Sequence, residues 1–347
     1  MAFGEASYDE SRYAGSVARR FNTDHHEIRV PVGDGDLSLI DDVLSQFDQP
    51  FGDSSAVPTY LMCRAVRSFV KVVIGGDGGD EMFAGYPRFA YADLVGIVGH
   101  LPAWSLRALQ FFLNAGSRAS SSERIRQIQR LVRAAEASGN ERLLALSCYV
   151  FPDELNRMLT PAVMEKVVGH SPLLTKAGER FCQGTGGDFM DATMNTALPG
   201  DYLRKVNMMS SAHGLEVRIP FLGESVLACA ARIPDRWKYS IGKNKRLLRQ
   251  LAERYLPPEI CRRPKAGFGF PFDAWLGEKG RRELARQLGS PEAQVRKLVA
   301  GKYLEALLWC FVHQRWDDLR LSRFNGYQRV YGLWALERWL QRSGPTL

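Results

Sequence analysis

The stretch Gly75-Gly76-Asp77-Gly78-Gly79-Asp80-Glu81 places four glycines and three carboxylates in seven residues. Glycines let a backbone approach a ligand closely and adopt positive φ. Three acids repel a bare phosphate, but they suit a loop holding a divalent cation that bridges phosphates. Asp77 and Asp80, three apart on a turn, can project into one site. A solvated acidic turn whose carboxylates cap the following helix is the competing reading. The density of glycine and acid directly after a β-branched run favours the ligand-binding reading.

That run, Val70-Lys71-Val72-Val73-Ile74, has the pattern of a buried parallel strand bounded by glycine. Ligands of open α/β sheets bind beyond the carboxyl ends of strands. Ile74 ends the strand and Gly75 begins the loop, so the loop sits where a ligand belongs. Upstream, residues 8–21 read as a helix with Asp9 and Glu10 in its first turn, 26–31 as a short strand, and 37–46 and 59–69 as helices. The segment 51–58 between them is a turn-rich loop. This order fits an α/β layer. Beyond about residue 90 the patterns are amphipathic and helical: 91–114, 122–138, 140–148, 152–159, 200–213, 243–254 and 303–342. The expected division is an α/β portion over 1–90 and a mostly helical remainder over 91–347.

The 347 residues, 45% of them apolar, make an ordinary globular composition. No run of about 18 apolar residues predicts a membrane span; the nearest, from Leu94 to Ala115, is broken by His100, Pro102 and Arg107. Six scattered cysteines form no Cys-x-x-Cys and argue against a zinc site or disulfide framework, which points to a reducing cytoplasm. The net charge of +8 is compatible with nucleic acid, but equally with ATP, pyrophosphate or acidic substrates. Arg124, Arg126, Arg130 and Arg133 fall at helical spacing, which reads as a solvated face, so no nucleic-acid partner is expected. His25 and His26 have no nucleophile near them in sequence and read as packing residues.

Five ordered motifs carry a family resemblance. The string from Val72 through Gly75–Glu81 to Gly85-Tyr86-Pro87-Arg88 resembles the S-G-D-G-G-D-E-x-F-x-G-Y loop of the synthetase domain of glutamine-hydrolysing asparagine synthetases. The segment from Phe47 to Thr59 resembles that family's D-E-P-F-x-D-x-S-x-x-P-T. His213–Leu222 resembles H-G-L-E-x-R-x-P-F-L-D, Lys243–Arg249 resembles G-K-x-K-x-x-L-R, and Arg263–Pro271 resembles R-x-K-x-G-F-x-x-P.

The resemblance implies a partial Rossmann-like sheet of the adenine nucleotide α-hydrolase type, followed by helices. It implies a ligase that uses ATP and Mg2+ to adenylate a carboxylate, aspartate being favoured, and then forms an amide with ammonia. The ammonia would come from a glutaminase domain or subunit outside this chain. By analogy Asp80 is the magnesium ligand, Asp77 a proton acceptor, and Lys245 the lysine that steadies the adenylation transition state. Gly75, Gly76 and Gly78 would approach the nucleotide. Asp53 and Ser54 would line the substrate pocket or, with Ser55, cap a helix. Glu216 and Arg218, two apart, would share one side of an extended segment, either as an ion pair or as substrate contacts. Lys265 and the segment 267–269 would form a lid or a tight turn.

The family's upstream S-G-G-x-D-S loop finds no match here, nor does its glutaminase cysteine. The expectation is therefore an incomplete synthetase domain that does not catalyse ATP–pyrophosphate exchange with aspartate by itself. Asn207 and Met208 replace an Asp-Arg pair, and Gly223 replaces an Asp. Those changes fit either compensation or a divergent enzyme acting on another carboxylate. A non-catalytic fragment or subunit is the remaining alternative.

Overall fold

The computed structural model describes all residues except 1, 4–8, 31–34, 120–122, 138–141, 143–144, 151, 168–184, 264–269, 320 and 345–347. The described chain is mostly helical and carries two small parallel sheets. β1 (Ala2–Phe3) pairs with β2 (Arg29–Val30), and β3 (Val72–Ile74) pairs with β4 (Glu216–Arg218). Between β1 and β3 lie α1 (Ser11–Phe21), α2 (Leu37–Ser45) and α3 (Ala56–Val66). Then follow α4 (Gly79–Met82), α5 (Pro87–Val98), α6 (Ala103–Ala119) and α7 (Glu123–Glu136). The later helices that matter here are α8 (Gly186–Asn195), α9 (Leu203–Ser211), α10 (Arg246–Ala252), α11 (Phe272–Leu288), α12 (Gly301–His313) and α13 (Arg323–Ser343).

The coarse α/β order holds, with corrections. The strand before the glycine loop is parallel but not buried. Val72 is 40% and Ile74 77% exposed, because β3 has one neighbour and nothing covers its outer face among the described residues. The strand expected over 26–31 is only Arg29–Val30 among the described residues. α1 starts at Ser11, so no acid stands in its first turn; Asp9 instead accepts from the Ser11 backbone N–H at 2.9 Å, ahead of the helix. α3 begins at Ala56, three residues earlier than its pattern suggested. The Asp53 carboxylate accepts from both Ser55 N and Ser55 Oγ and so turns the chain into the helix. The pattern over 303–342 is two helices, α12 and α13, not one.

α11 was missed because Gly277 and Gly280 interrupt its apolar period. Gly277 leaves helical geometry altogether, at φ 65°, ψ −178°, and kinks the helix there. Its rings nonetheless anchor the main core. Phe272, fully buried, meets Phe311 of α12 and Tyr331 of α13 at ring-centroid distances of 6.3 and 5.2 Å. Ile40 and Val43 of α2 and Val57 of α3 join that core. A second core forms where α5 packs on α8, around Phe89, Val95, Phe189 and Ala192. α9 packs along α3. The two contacts bring α3, α5 and the start of α9 around the end of β3. Among the described residues no helix is long and apolar enough to cross a membrane.

Candidate active site

The loop leaves β3 with the sheet still pairing it: Gly75 N donates to Arg218 O at 2.8 Å. Gly78 takes φ +83°, and a Cβ there would stand 2.5 Å from Leu222 Cδ2, so only glycine fits. That turn opens α4, which carries Asp80 and Glu81. The three carboxylates of the loop then part ways. Glu81 is buried and accepts from Tyr86 Oη at 2.7 Å, a structural bond that closes the turn. Asp77 and Asp80 stay half-buried and near each other. Burial raises the Asp77 carboxyl above its ordinary range against a backbone hydrogen bond and the Lys205 charge, which lower it, and the Asp80 charge adds a last, smaller push upward.

Asp80 meets Lys245. Lys245 Nζ lies 2.9 Å from Asp80 Oδ1. The backbone arranges this pair. Lys245 N donates to Ala84 O at 3.1 Å, and Asn244 Nδ2 donates to Gly85 O at 2.6 Å, latching the start of α10 onto the acidic loop. Both Ala84 and Lys245 adopt the left-handed region, at φ 55° and 49°, which costs about 1 kcal/mol or more each and concentrates at functional sites. A Cβ at Gly85 would fall 1.5 Å from Asp80 Oδ1 and 2.6 Å from Lys245 Cε, so this glycine makes the room for the pair.

Opposite the loop stands a second charged group built on α3 and α9. Lys205 Nζ donates to Asp53 Oδ2 at 2.6 Å and Ser55 Oγ at 2.7 Å, with 12% of the Lys205 side chain exposed. Burial pushes the Asp53 carboxyl up, but the Lys205 charge and the hydrogen bonds from Lys205 and Ser55 outweigh it and hold Asp53 below the usual range. Just before α9 the chain makes a π-helical turn, Leu198–Tyr202, whose i→i+5 bond runs from Leu203 N to Leu198 O. It presents Asp201, whose carboxyl is raised to about 7 by burial and by the Asp53 charge, against Lys205 and Arg88. Arg88 of α5 donates to Tyr202 Oη at 3.1 Å and stacks over the Tyr86 ring at 4.5 Å.

The structure therefore brings Asp77, Asp80 and Lys245 together and sets Asp53 beside them through Lys205. Ser54 is buried in the turn before α3. Gly75 and Gly76 lie on the loop, Gly76 with open space where a Cβ would be. Glu216 and Arg218 are extended on β4 and pair with each other at 2.8 Å, both exposed. His26 is exposed and stacks on Phe69. Lys265 and 267–269, the expected lid, lie outside the described residues, as do the side chains of Arg124 and Arg126. Sequence reasoning missed Lys205, Asp201 and Arg88. Arg88 closes the loop motif and Lys205 directly precedes Val206-Asn207-Met208, so adjacency to those motifs was the one signal available.

Asp80 suits a shared magnesium ion by its chemistry: a hard carboxylate oxygen, with a second carboxylate close enough to oppose its charge. Magnesium takes one or two carboxylates and completes its octahedron with water and phosphate. No group of three or more ligating side chains gathers among the described residues, so the donor set fits a phosphate-bridged ion and not an all-protein cage.

The asparagine synthase family model matches residues 1–341. A putative glutamine-hydrolyzing asparagine synthetase of Mycobacterium tuberculosis is 27% identical over 257 residues, covering 72% of this chain and 37% of that protein. Glutamine-hydrolyzing asparagine synthetase 1 of Bacillus subtilis is 26% identical over 234 residues, 67% of this chain and 36% of that protein. A putative one from Methanocaldococcus jannaschii is 45% identical over 82 residues, 24% of this chain and 16% of that protein. The match thus spans little more than a third of the length of the first two relatives.

Proposed function

The chain belongs to the asparagine synthase family, and from that premise we propose that it is the synthetase part of an ATP-dependent amide-forming ligase. The acid substrate is adenylated at the expense of ATP, with release of pyrophosphate, and ammonia then displaces AMP. Aspartate is the favoured acid. The ammonia comes from a glutaminase domain or subunit outside these residues, in keeping with the glutamine-hydrolyzing names of the relatives. Five free cysteines among the described residues are in keeping with a reducing cytoplasm.

The observation that carries this reading is the Asp80–Lys245 pair, which joins two separate motifs at one point on the ligand side of β3. Asp80 would hold magnesium. When bound, that ion neutralises phosphate charge and polarises the reacting phosphoryl group. Lys245, held by its backbone at the loop, lies ready to stabilise charge that grows at the α-phosphate. Gly75, Gly76 and Gly78 let the phosphates approach the main chain. Asp77, whose carboxyl burial raises above its ordinary range, takes a proton as the amide forms. Asp53 and Ser54, with Lys205, shape the wall nearest the acid substrate. Glu216 and Arg218 act there only if they exchange each other for substrate.

A second reading, a larger carboxylate in place of aspartate, draws on Asn207 and Met208. Asn207 is exposed, and Met208 packs against the main core where the family carries an arginine. ATP–pyrophosphate exchange by the full-length gene product, run over a panel of carboxylic acids, separates the two. Aspartate-dependent exchange that disappears in Asp80→Ala is the expected result. Exchange driven by another acid selects the second reading. No exchange with any acid overturns the ligase.

A further inference from the structure

Asp201 has no use in the scheme above, yet the fold goes to some length to bury it. The π turn bends the backbone out of regular helix at this residue. Its Oδ1 is buried without a hydrogen-bond partner. Four groups surround its charge: Asp53 from the turn before α3, Lys205 from α9, Arg88 from α5, and Tyr149 from the segment after α7. Neither cation pairs with it. Lys205 spends its ammonium on Asp53 and Ser55, and Arg88 turns to Tyr202. A carboxylate oxygen left this way is costly unless something else meets it.

We propose that Asp201 docks the nitrogen nucleophile as an ammonium ion and takes its first proton. This rests on the ligase reading, whose stoichiometry calls for such a group. Ammonia near neutral pH is almost wholly ammonium. Ammonium and an acyl adenylate give the amide, AMP and two protons. The new C–N bond forms, the C–O bond to the phosphate breaks, and its electron pair leaves with AMP. Asp77 accepts the proton shed as the C–N bond forms. The earlier proton, which must go before nitrogen has a lone pair to attack with, needs a separate acceptor.

Asp201 has the surroundings for it. A small monovalent cation is met by one carboxylate, phenol oxygens and aromatic faces, and Tyr149 and Tyr202 stand next to Asp201. Burial and the Asp53 charge put the Asp201 carboxyl at about 7, where a group can both take up and return a proton at neutral pH. Lys205 is the neighbour that Asp201 and Asp77 share, which sets both acceptors around one cation.

Carboxyl 13C NMR of the 347-residue protein tests this without any turnover. One aspartate is expected to titrate near neutrality and to vanish from the spectrum of Asp201→Asn, with Asp201→Glu giving the same assignment should the Asn variant not fold. Ammonium chloride should lower its midpoint by about one unit relative to potassium chloride at equal ionic strength, since a bound cation favours the charged form. Equal midpoints in the two salts overturn the proposal, because potassium matches ammonium in charge and nearly in size but donates no hydrogen bond. In the full-length gene product, Asp201→Asn should lower the ratio of ammonium-dependent amide formation to exchange at least about tenfold. Hydroxylamine, uncharged at neutral pH, should restore it. An unchanged ratio also overturns the proposal, whereas absence of exchange in the wild type indicts the ligase reading and leaves the NMR result to decide this one.

Discussion

Around Phe272 the chain buries rings against rings; around Asp77 it buries charges against charges. The first region is built from α11, α12 and α13, three helices of 13 to 21 residues whose facing sides are apolar. The second hangs from strands three residues long and from turns. In the helical region contact area does the stabilising, and a neighbour can be exchanged for another of similar shape. In the site region each charge is met by specific polar partners: Asp53 by Lys205 and Ser55, Glu81 by Tyr86, Asp80 by Lys245. Helical packing therefore carries the fold, and it supports a thin polar structure that could not hold its own charges in place.

The sharpest way to separate the regions is to cut one contact in each. Phe272→Ala empties the centre of the helical core and should cost about 3–5 kcal/mol in chemical denaturation. A loss under about 1 kcal/mol would mean that the core does not centre there. Lys205→Met leaves Asp53 buried without its cation and should cost about 3 kcal/mol at neutral pH. Here the two regions differ in kind, because the Lys205 effect depends on pH and the Phe272 effect does not. Asp53 titrates below its ordinary value when folded, so the pair's contribution is present at neutral pH and is lost as pH falls from the carboxylate range through that lower value. The gap between wild type and Lys205→Met should close in acid; a gap that stays constant would show the loss to be one of packing.

Gly85→Ala tests positioning alone. Its methyl would displace the Asp80 and Lys245 side chains, and exchange by the full-length gene product should fall roughly 100-fold with little change in Tm. A large Tm loss with normal exchange would assign that glycine to stability instead. The smallest effect expected is at Ile74→Thr. At 77% exposure this residue should contribute less than about 0.5 kcal/mol. A loss above about 1 kcal/mol would mean that β3 is covered in solution, and the contrast drawn between the regions would weaken.

The motif residues were legible because their chemistry is local. A glycine forced to φ +83°, or a lysine within an ordered string, can be identified with no knowledge of what it touches. The burial of β3 was not legible. Val70–Ile74 is as apolar as a central strand, and whether such a strand is covered depends on neighbours far along the chain. α11 was hidden by Gly277 and Gly280: Gly277 does break the helical geometry, yet the packing of Phe272, Trp275 and Leu276 holds the two sides of the kink in one core element. Of the three acids in the loop, nothing in their order told that Glu81 turns inward while Asp77 and Asp80 do not.

The amino-acid sequence by itself determined the acidic glycine turn, the family and the charged residues of each motif. These depend on residue type and on spacing over a few positions, where backbone sterics and side-chain chemistry act directly. Only the tertiary structure decided which charges meet: Lys245 with Asp80, Lys205 with Asp53, and Asp201 with neither cation beside it. Those outcomes depend on how α3, α5, α9 and α10 pack around the end of β3. Coulomb energy and desolvation change steeply over a few ångströms, so partners distant in sequence are chosen by packing and not by pattern.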